Sequence, residues 1–214
     1  MSRPEHVLLD GAEGKIEVFV EPRDDAVGIA LIAHPHPLYG GTAENKVVTT
    51  LAKAFRELGY VTLRPNFRGV GGSGGEHAFG IGETDDLLAV HAYALQRFSG
   101  AEPLPVVLAG FSFGAFVITR LAKILAERND PAERLVLVGT AAGHFEGIRA
   151  YSLEAVAGDT VVIHGAADTT VPLANVLAWA EPLDLPVVVI PGADHFFHRK
   201  LHIIRNIVHS AWHR

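Results

Sequence analysis

Short apolar runs alternate with amphipathic stretches along the whole chain. Runs at 27–33, 60–64, 105–109, 134–138, 160–163 and 186–190 predict strands. Because they are continuously apolar, both faces of these strands must be covered, as in a parallel sheet flanked by helices. Ile16-Glu17-Val18-Phe19-Val20 alternates instead and reads as a half-buried, edge-like strand. Helical periodicity fills the gaps at 44–58, 83–98, 114–127, 172–180 and 197–212. In the last stretch Phe197, Leu201, Ile204, Val208 and Trp212 recur at helical spacing and make one apolar stripe. Strand–helix repetition of this kind predicts an α/β fold: a doubly wound, mostly parallel sheet of about seven or eight strands with helices on both faces.

Composition narrows the partners. A chain of 214 residues is expected to form one domain over 1–214, and a 49% hydrophobic share supplies its core. With 18 Lys and Arg against 24 Asp and Glu the net charge is −6, which gives no dense positive face for nucleic acid or an anionic membrane. The absence of cysteine removes disulfides, thiolate nucleophiles and thiolate metal sites. The first residues carry no apolar signal region, and no apolar run approaches the length of a membrane span. The expectation is a cytoplasmic protein with a small-molecule partner and no membrane partner. Its oligomeric state is not legible.

The sharpest chemical signal is Gly110-Phe111-Ser112-Phe113-Gly114, entered from the strand Val106–Ala109 and left by a helical pattern. G-x-S-x-G between a strand and a helix is a nucleophile elbow, in which a strained turn presents the serine and glycines avoid neighbouring backbone. A serine hydroxyl is inert at neutral pH without a base and an orienting carboxylate. Of the twelve histidines, His195 follows the strand 186–190, at the sheet edge where open α/β sheets build their sites. His164 reads as a packed core histidine, whereas His198, His202, His209 and His213 fall on the last predicted helix. Asp168 follows the strand 160–163 by a short turn and is the preferred carboxylate. Asp194, adjacent to His195, is badly placed to orient its own neighbour's ring. Backbone amides should bind the oxyanion: that of Phe113, and one from 34–41. There Pro35 and Pro37 lack amides, leaving His36, Leu38 and Tyr39, with His36 favoured. Phe111, Phe113 and Tyr39 are expected to line the substrate site.

Four segments carry a family resemblance: His-Pro-x-x-x-x-Gly-Gly at 34–41, Asn-Phe-Arg-Gly-Val-Gly at 66–71, Gly-Phe-Ser-Phe-Gly at 110–114 and His-Phe-Phe-His at 195–198. Over nearly its whole length the chain resembles the small bacterial serine hydrolases of the α/β-hydrolase superfamily. The resemblance implies a serine hydrolase with Ser112, Asp168 and His195 as its triad, without naming a substrate. His36 and Pro37 depart from the pattern. The interval from Ser112 to Asp168 is filled by a helix (114–127), strands at 134–138 and 160–163 and a short segment at 144–157, which leaves no room for a cap domain. The site is expected to be open, roofed by loops such as 69–82. The reading is therefore a carboxylesterase for small, short-acyl esters that forms an acyl-enzyme and needs no cofactor or metal.

Other motifs point elsewhere. Gly69–Gly74 satisfies G-x-G-x-x-G, but more loop follows where a dinucleotide site needs a helix at once. His34 and His36 have the spacing of a binuclear metal hydrolase, although the chain is short for the barrel that carries such a motif. A non-catalytic binding module on the same fold is a third possibility. His198-Arg199-Lys200 with His202 and Arg205 reads as a solvated helix face rather than an anion site.

Overall fold

The computed structural model describes residues 4–144 and 150–212. His213 and residues 145–149, within the short segment read at 144–157, lie outside the described residues. The chain opens with an antiparallel hairpin, β1 (Glu5–Gly11) and β2 (Gly14–Glu21). Strand–helix units follow: β3 (Gly28–Ala33), α1 (Lys46–Glu57), β4 (Tyr60–Pro65), α2 (Ile81–Phe98), β5 (Val106–Phe111), α3 (Phe113–Glu127) and β6 (Arg134–Val138). A two-stranded excursion, β7 (Gly143–His144) and β8 (Ala150–Tyr151), precedes β9 (Val161–Gly165), α4 (Leu173–Ala180), β10 (Val187–Ile190) and α5 (Leu201–Trp212). The main sheet has eight strands in the order β1-β2-β4-β3-β5-β6-β9-β10. Only β1/β2 and β2/β4 are antiparallel; all other neighbours are parallel.

Side chains that alternate along the central strands divide the core in two. Ile29, Leu31 and Leu108 face α2 and α3, meeting Leu87, Val90, Val117 and Leu121. Ala30, Ile32, Val107 and Ala109 face α1 and α5, meeting Val48, Leu51, Phe55, Ile204 and Val208. Near the far edge Val176 and Ala180 of α4 pack over Val162. Each fully buried Leu, Ile, Val or Phe contributes about 1.5–3 kcal/mol, so the two faces anchor every central strand firmly. Strand ends are thereby fixed, and the site is built from the turns that leave them.

Four local expectations need correction. The strand β1 escaped the pattern because it is an outer strand with Leu8 turned to solvent and only Val7 and Leu9 packed inward. The apolar run ending in β10 is not covered on both faces: β10 is the opposite edge, and Val188 and Val189 are 39% and 37% exposed. The last helix starts at Leu201 rather than 197, because Phe197 and Arg199 adopt left-handed backbone (φ 53° and 61°) that a helix cannot contain. His198 thus lies in a turn before it. Finally, the glycine run 69–75 does not roof the site. It folds onto β2, with Gly74 N donating to Lys15 O (2.8 Å), Glu17 N to Ser73 Oγ (2.9 Å) and Gly72 N to Glu17 Oε2 (2.9 Å). Within the stretch 69–82, His77 packs on two residues of the site's wall, its ring centroid 4.7 Å from that of His36 and 5.3 Å from that of Phe113.

Candidate active site

Strand β5 delivers the chain to Ser112 at φ 56° and ψ −117°, a region costly for any residue with a Cβ. The turn is pinned from several sides. Ser112 N donates to Val138 O (2.9 Å), and Ser112 O accepts from Ala115, Phe116 and Ala141 N–H groups. Both glycines of the pentapeptide are required by space. A Cβ on Gly110 would lie 2.6 Å from Ala115 N, and one on Gly114 would lie 2.4 Å from the carbonyl oxygens of Ala33 and His34. The hydroxyl therefore projects from a rigid corner above the carboxyl ends of the strands, at the N-terminus of α3.

Two further strand ends meet it. Ser112 Oγ–H donates to His195 Nε2 (3.0 Å), and His195 Nδ1–H donates to Asp168 Oδ2 (2.7 Å). The imidazole packs on the Phe111 ring (centroids 5.0 Å apart, planes tilted by 34°) and beside Gly139, where a Cβ would lie 3.1 Å from the Phe111 ring and 3.4 Å from His195 Cε1. The second oxygen of Asp168, Oδ1, accepts the backbone amides of Thr170 (2.9 Å) and Val171 (2.8 Å). Beneath this turn lies fully buried His164, whose Nε2–H donates to Val171 O (3.0 Å) and stands 3.5 Å from Asp168 Oδ2. Burial holds the His164 pKa below its ordinary value, so it is a neutral ring. Asp194 is turned away from His195. It accepts the amide of His198 (3.0 Å) and pairs with His198 Nδ1 (2.6 Å), a bond that lowers its pKa.

The loop after β3 forms the opposite wall. Leu38 N donates to His36 Nδ1 (3.3 Å) and Tyr39 N to His36 O (3.1 Å), so two of the three loop amides considered as oxyanion donors are engaged within the loop. The amide of Phe113 begins α3, where no intrahelical acceptor exists for it. Between these groups opens a cavity of about 550 Å³ reached by Ser112, His195, His36, Phe113 and Tyr39. Phe111 does not line it: this side chain is fully buried under His195 and supports the ring instead. Nor can His34 and His36 chelate a metal, because His34 engages both ring nitrogens, Nδ1 with Pro35 O (2.6 Å) and Nε2 with Phe67 N (2.9 Å).

A serine on a strained elbow, bonded through an imidazole to a carboxylate and backed by this sheet order, invites comparison with known proteins. The family described as serine aminopeptidase, S33, matches residues 38–158. An α/β serine hydrolase homologue from Coxiella burnetii superimposes over 99% of both chains with a TM-score of 0.82 at 36% identity. The chain belongs to the α/β-hydrolase superfamily. A Xanthomonas campestris serine hydrolase described as lacking a lid matches 99% of this chain and 94% of its own, with a TM-score of 0.82 and 34% identity. An uncharacterised protein of Rickettsia prowazekii is 33% identical over 208 residues, which is 91% of this chain and 82% of the relative.

This α/β-hydrolase shares the lidless form described for the Xanthomonas campestris enzyme. In place of a cap, the excursion β7–β8 brings Tyr151 to the mouth, its ring centroid 5.9 Å from Phe113 and 6.4 Å from His36. Tyr151, Asn45, Thr169, Thr170 and Phe196 line the cavity and were not anticipated. Thr169, Thr170 and Phe196 adjoin Asp168 and His195 in the chain, so proximity could have flagged them. Nothing in the sequence marks Tyr151. Among the described residues, no helix is long and apolar enough to cross a membrane.

Proposed function

We propose that this hydrolase is a carboxylesterase acting on small, short-acyl esters. The observation that carries the reading is the unbroken hydrogen-bond chain from Ser112 through His195 to Asp168, at 3.0 and 2.7 Å. Asp168 holds the imidazole with Nδ1 protonated, which leaves Nε2 able to take the serine proton. Ser112 Oγ then attacks the acyl carbon, and the carbonyl oxygen gains negative charge toward the amides of Phe113 and His36. His195 returns the proton to the departing alkoxide, leaving an acyl-serine; a water activated by the same imidazole releases the acid.

Ester rather than peptide cleavage suits the cavity lining of aromatic rings, threonines and Asn45. Capture of a peptide's free α-ammonium group calls for a carboxylate, and the described residues bring none to the lining; an alkoxide also leaves without the strong protonation that an amine requires. The test is a panel of p-nitrophenyl esters, with an aminoacyl p-nitroanilide beside it, run on the native chain and Ser112→Ala. Ser112→Ala is expected to lose at least about 10³-fold in kcat and all labelling by a fluorophosphonate probe. Retained turnover by Ser112→Ala, or preference for the anilide, would refute the reading. An unlabelled native protein would favour a binding module instead.

A further inference from the structure

His34 is fully buried, and the reaction just described leaves it without a task. Its two ring nitrogens have defined partners. The backbone N–H of Phe67 can only donate, so Nε2 must accept (2.9 Å), and the ring proton therefore resides on Nδ1, which faces Pro35 O at 2.6 Å. Burial pushes the His34 pKa down to about 4, so the ring stays neutral and this single tautomer persists. A cation, with protons on both nitrogens, would break the bond from Phe67.

The Pro35 carbonyl is one edge of a planar peptide unit whose other edge is the N–H of His36. Carbonyl and amide point in opposite directions in that plane, so whatever grips the oxygen also aims the N–H. Gly41 closes the grip from the other side: a Cβ there would lie 2.1 Å from Pro35 O and 2.7 Å from His36 O. Its neighbour Gly40 is a glycine for a different reason, a left-handed turn at φ 76° with open space around it. The floor beneath is Gly114, packed against the carbonyls of Ala33 and His34.

We infer that His34 is a positioning residue for catalysis: its imidazole, fixed by the Phe67 amide, clamps the Pro35 carbonyl and thereby aims the His36 N–H at the developing oxyanion. The inference rests on the reading of His36 as an oxyanion donor. It also gives the segment Asn66–Gly71 a part in the reaction, since Phe67 dictates which nitrogen of His34 carries the proton.

Two substitutions separate the halves of the clamp. His34→Asn places an amide N–H near Nδ1 and keeps a donor for Pro35 O. His34→Gln reaches the Nε2 position, keeps an acceptor for Phe67 and loses the donor. His34→Gln is expected to lower kcat about 10²-fold, near the effect of removing one oxyanion donor, with KM changed by no more than about twofold. His34→Asn should stay within about tenfold of the native kcat. Inhibition by a trifluoromethyl ketone, whose adduct places an oxyanion on the same donors, should weaken in step with kcat/KM across both variants. Gly41→Ala should behave like His34→Gln. Nitrogen-15 histidine spectra of the native protein provide an arm that needs no variant to fold, and should report His34 as the neutral Nδ1–H tautomer from about pH 6 to 9. Equal losses in the two His34 variants, a loss carried by KM, or an Nε2–H tautomer would overturn the inference. A native protein that neither turns over esters nor forms the ketone adduct would overturn the esterase reading, and this inference with it.

Discussion

Asparagine at 168 tests the triad at one atom. Asp168 Oδ1 accepts two backbone amides, at 2.9 and 2.8 Å, whereas Oδ2 accepts the His195 proton at 2.7 Å. An asparagine must choose which side receives its oxygen. Turning its NH₂ toward Thr170 and Val171 would strand two donors, at about 1–3 kcal/mol each. The oxygen therefore stays with the amides, and the NH₂ faces His195 Nδ1. The imidazole must then accept there and carry its proton on Nε2, where Ser112 needs a base. A wrong tautomer of this kind lowers kcat about 10⁴-fold, or about 5 kcal/mol in barrier. Because the backbone bonds survive, Asp168→Asn should fold and melt within a few degrees of the native protein. Steady-state kcat and KM on p-nitrophenyl acetate, beside a thermal melt, read both effects. Asp194→Asn is the matched control. Its carboxylate is half-exposed and bonded within its own turn to His198, a surface pairing worth about 0–1 kcal/mol, so kcat should change little. A reversed ranking of the two variants would refute the assignment.

Other outcomes follow from the same geometry. With no lid over the site, an acyl chain longer than a few carbons stays in contact with water, so kcat/KM should peak at roughly C2 to C6, without a jump above the critical micelle concentration. A rise continuing to C12 esters would contradict this. Gly114→Ala must displace the carbonyls of residues 33 and 34, costing about 1–3 kcal/mol of overpacking, visible as a melting temperature lowered by several degrees. Acid should weaken the fold through His34. Its native pKa of about 4 lies below the ordinary 6.5, so the unfolded chain binds a proton that the native state refuses. That stability is complete above about pH 6.5 and falls by roughly 3 kcal/mol as pH drops toward 4. Buried His91 and His164, also shifted down, act in the same direction. Urea midpoints measured across this range should show the loss, with a shallower slope in His34→Asn.

Periodicity made the central strands and most helices legible, because burial on both faces leaves continuous apolar runs that little else produces. It failed where burial was one-sided or local backbone intervened. The first strand, β1, lies at the sheet's edge with a solvent-facing leucine, and Phe197 continues an apolar stripe from a left-handed turn that stripe counting cannot see. Spacing after strand ends singled out Ser112, Asp168 and His195, and the topology carries those three turns to one place. Phe111 misled because nearness to Ser112 in the chain does not say which way a ring leaves the elbow: Ser112 and Phe113 reach the cavity, while the Phe111 ring packs against His195, fully buried. The spacing of His34 and His36 left a metal site open as a rival reading, because residue type and spacing say nothing about which backbone donors a ring nitrogen will meet.

The excursion that carries Tyr151 has a consequence for how such a protein can diverge. Strands β6 and β9, which it separates in the chain, pair directly through Val136 with Val161, Leu137 with Val162 and Val138 with Ile163. Their register is thus set by the sheet and by Gly139 N donating to Ile163 O (2.9 Å), and does not depend on the excursion from Gly143 to Tyr151. Insertion or replacement there changes what stands at the mouth while Ser112, Asp168 and His195 keep their positions. Selection on substrate choice and selection on bond cleavage can then act on separate stretches of one gene, and a graft at this point is where new substrate preference should be sought first.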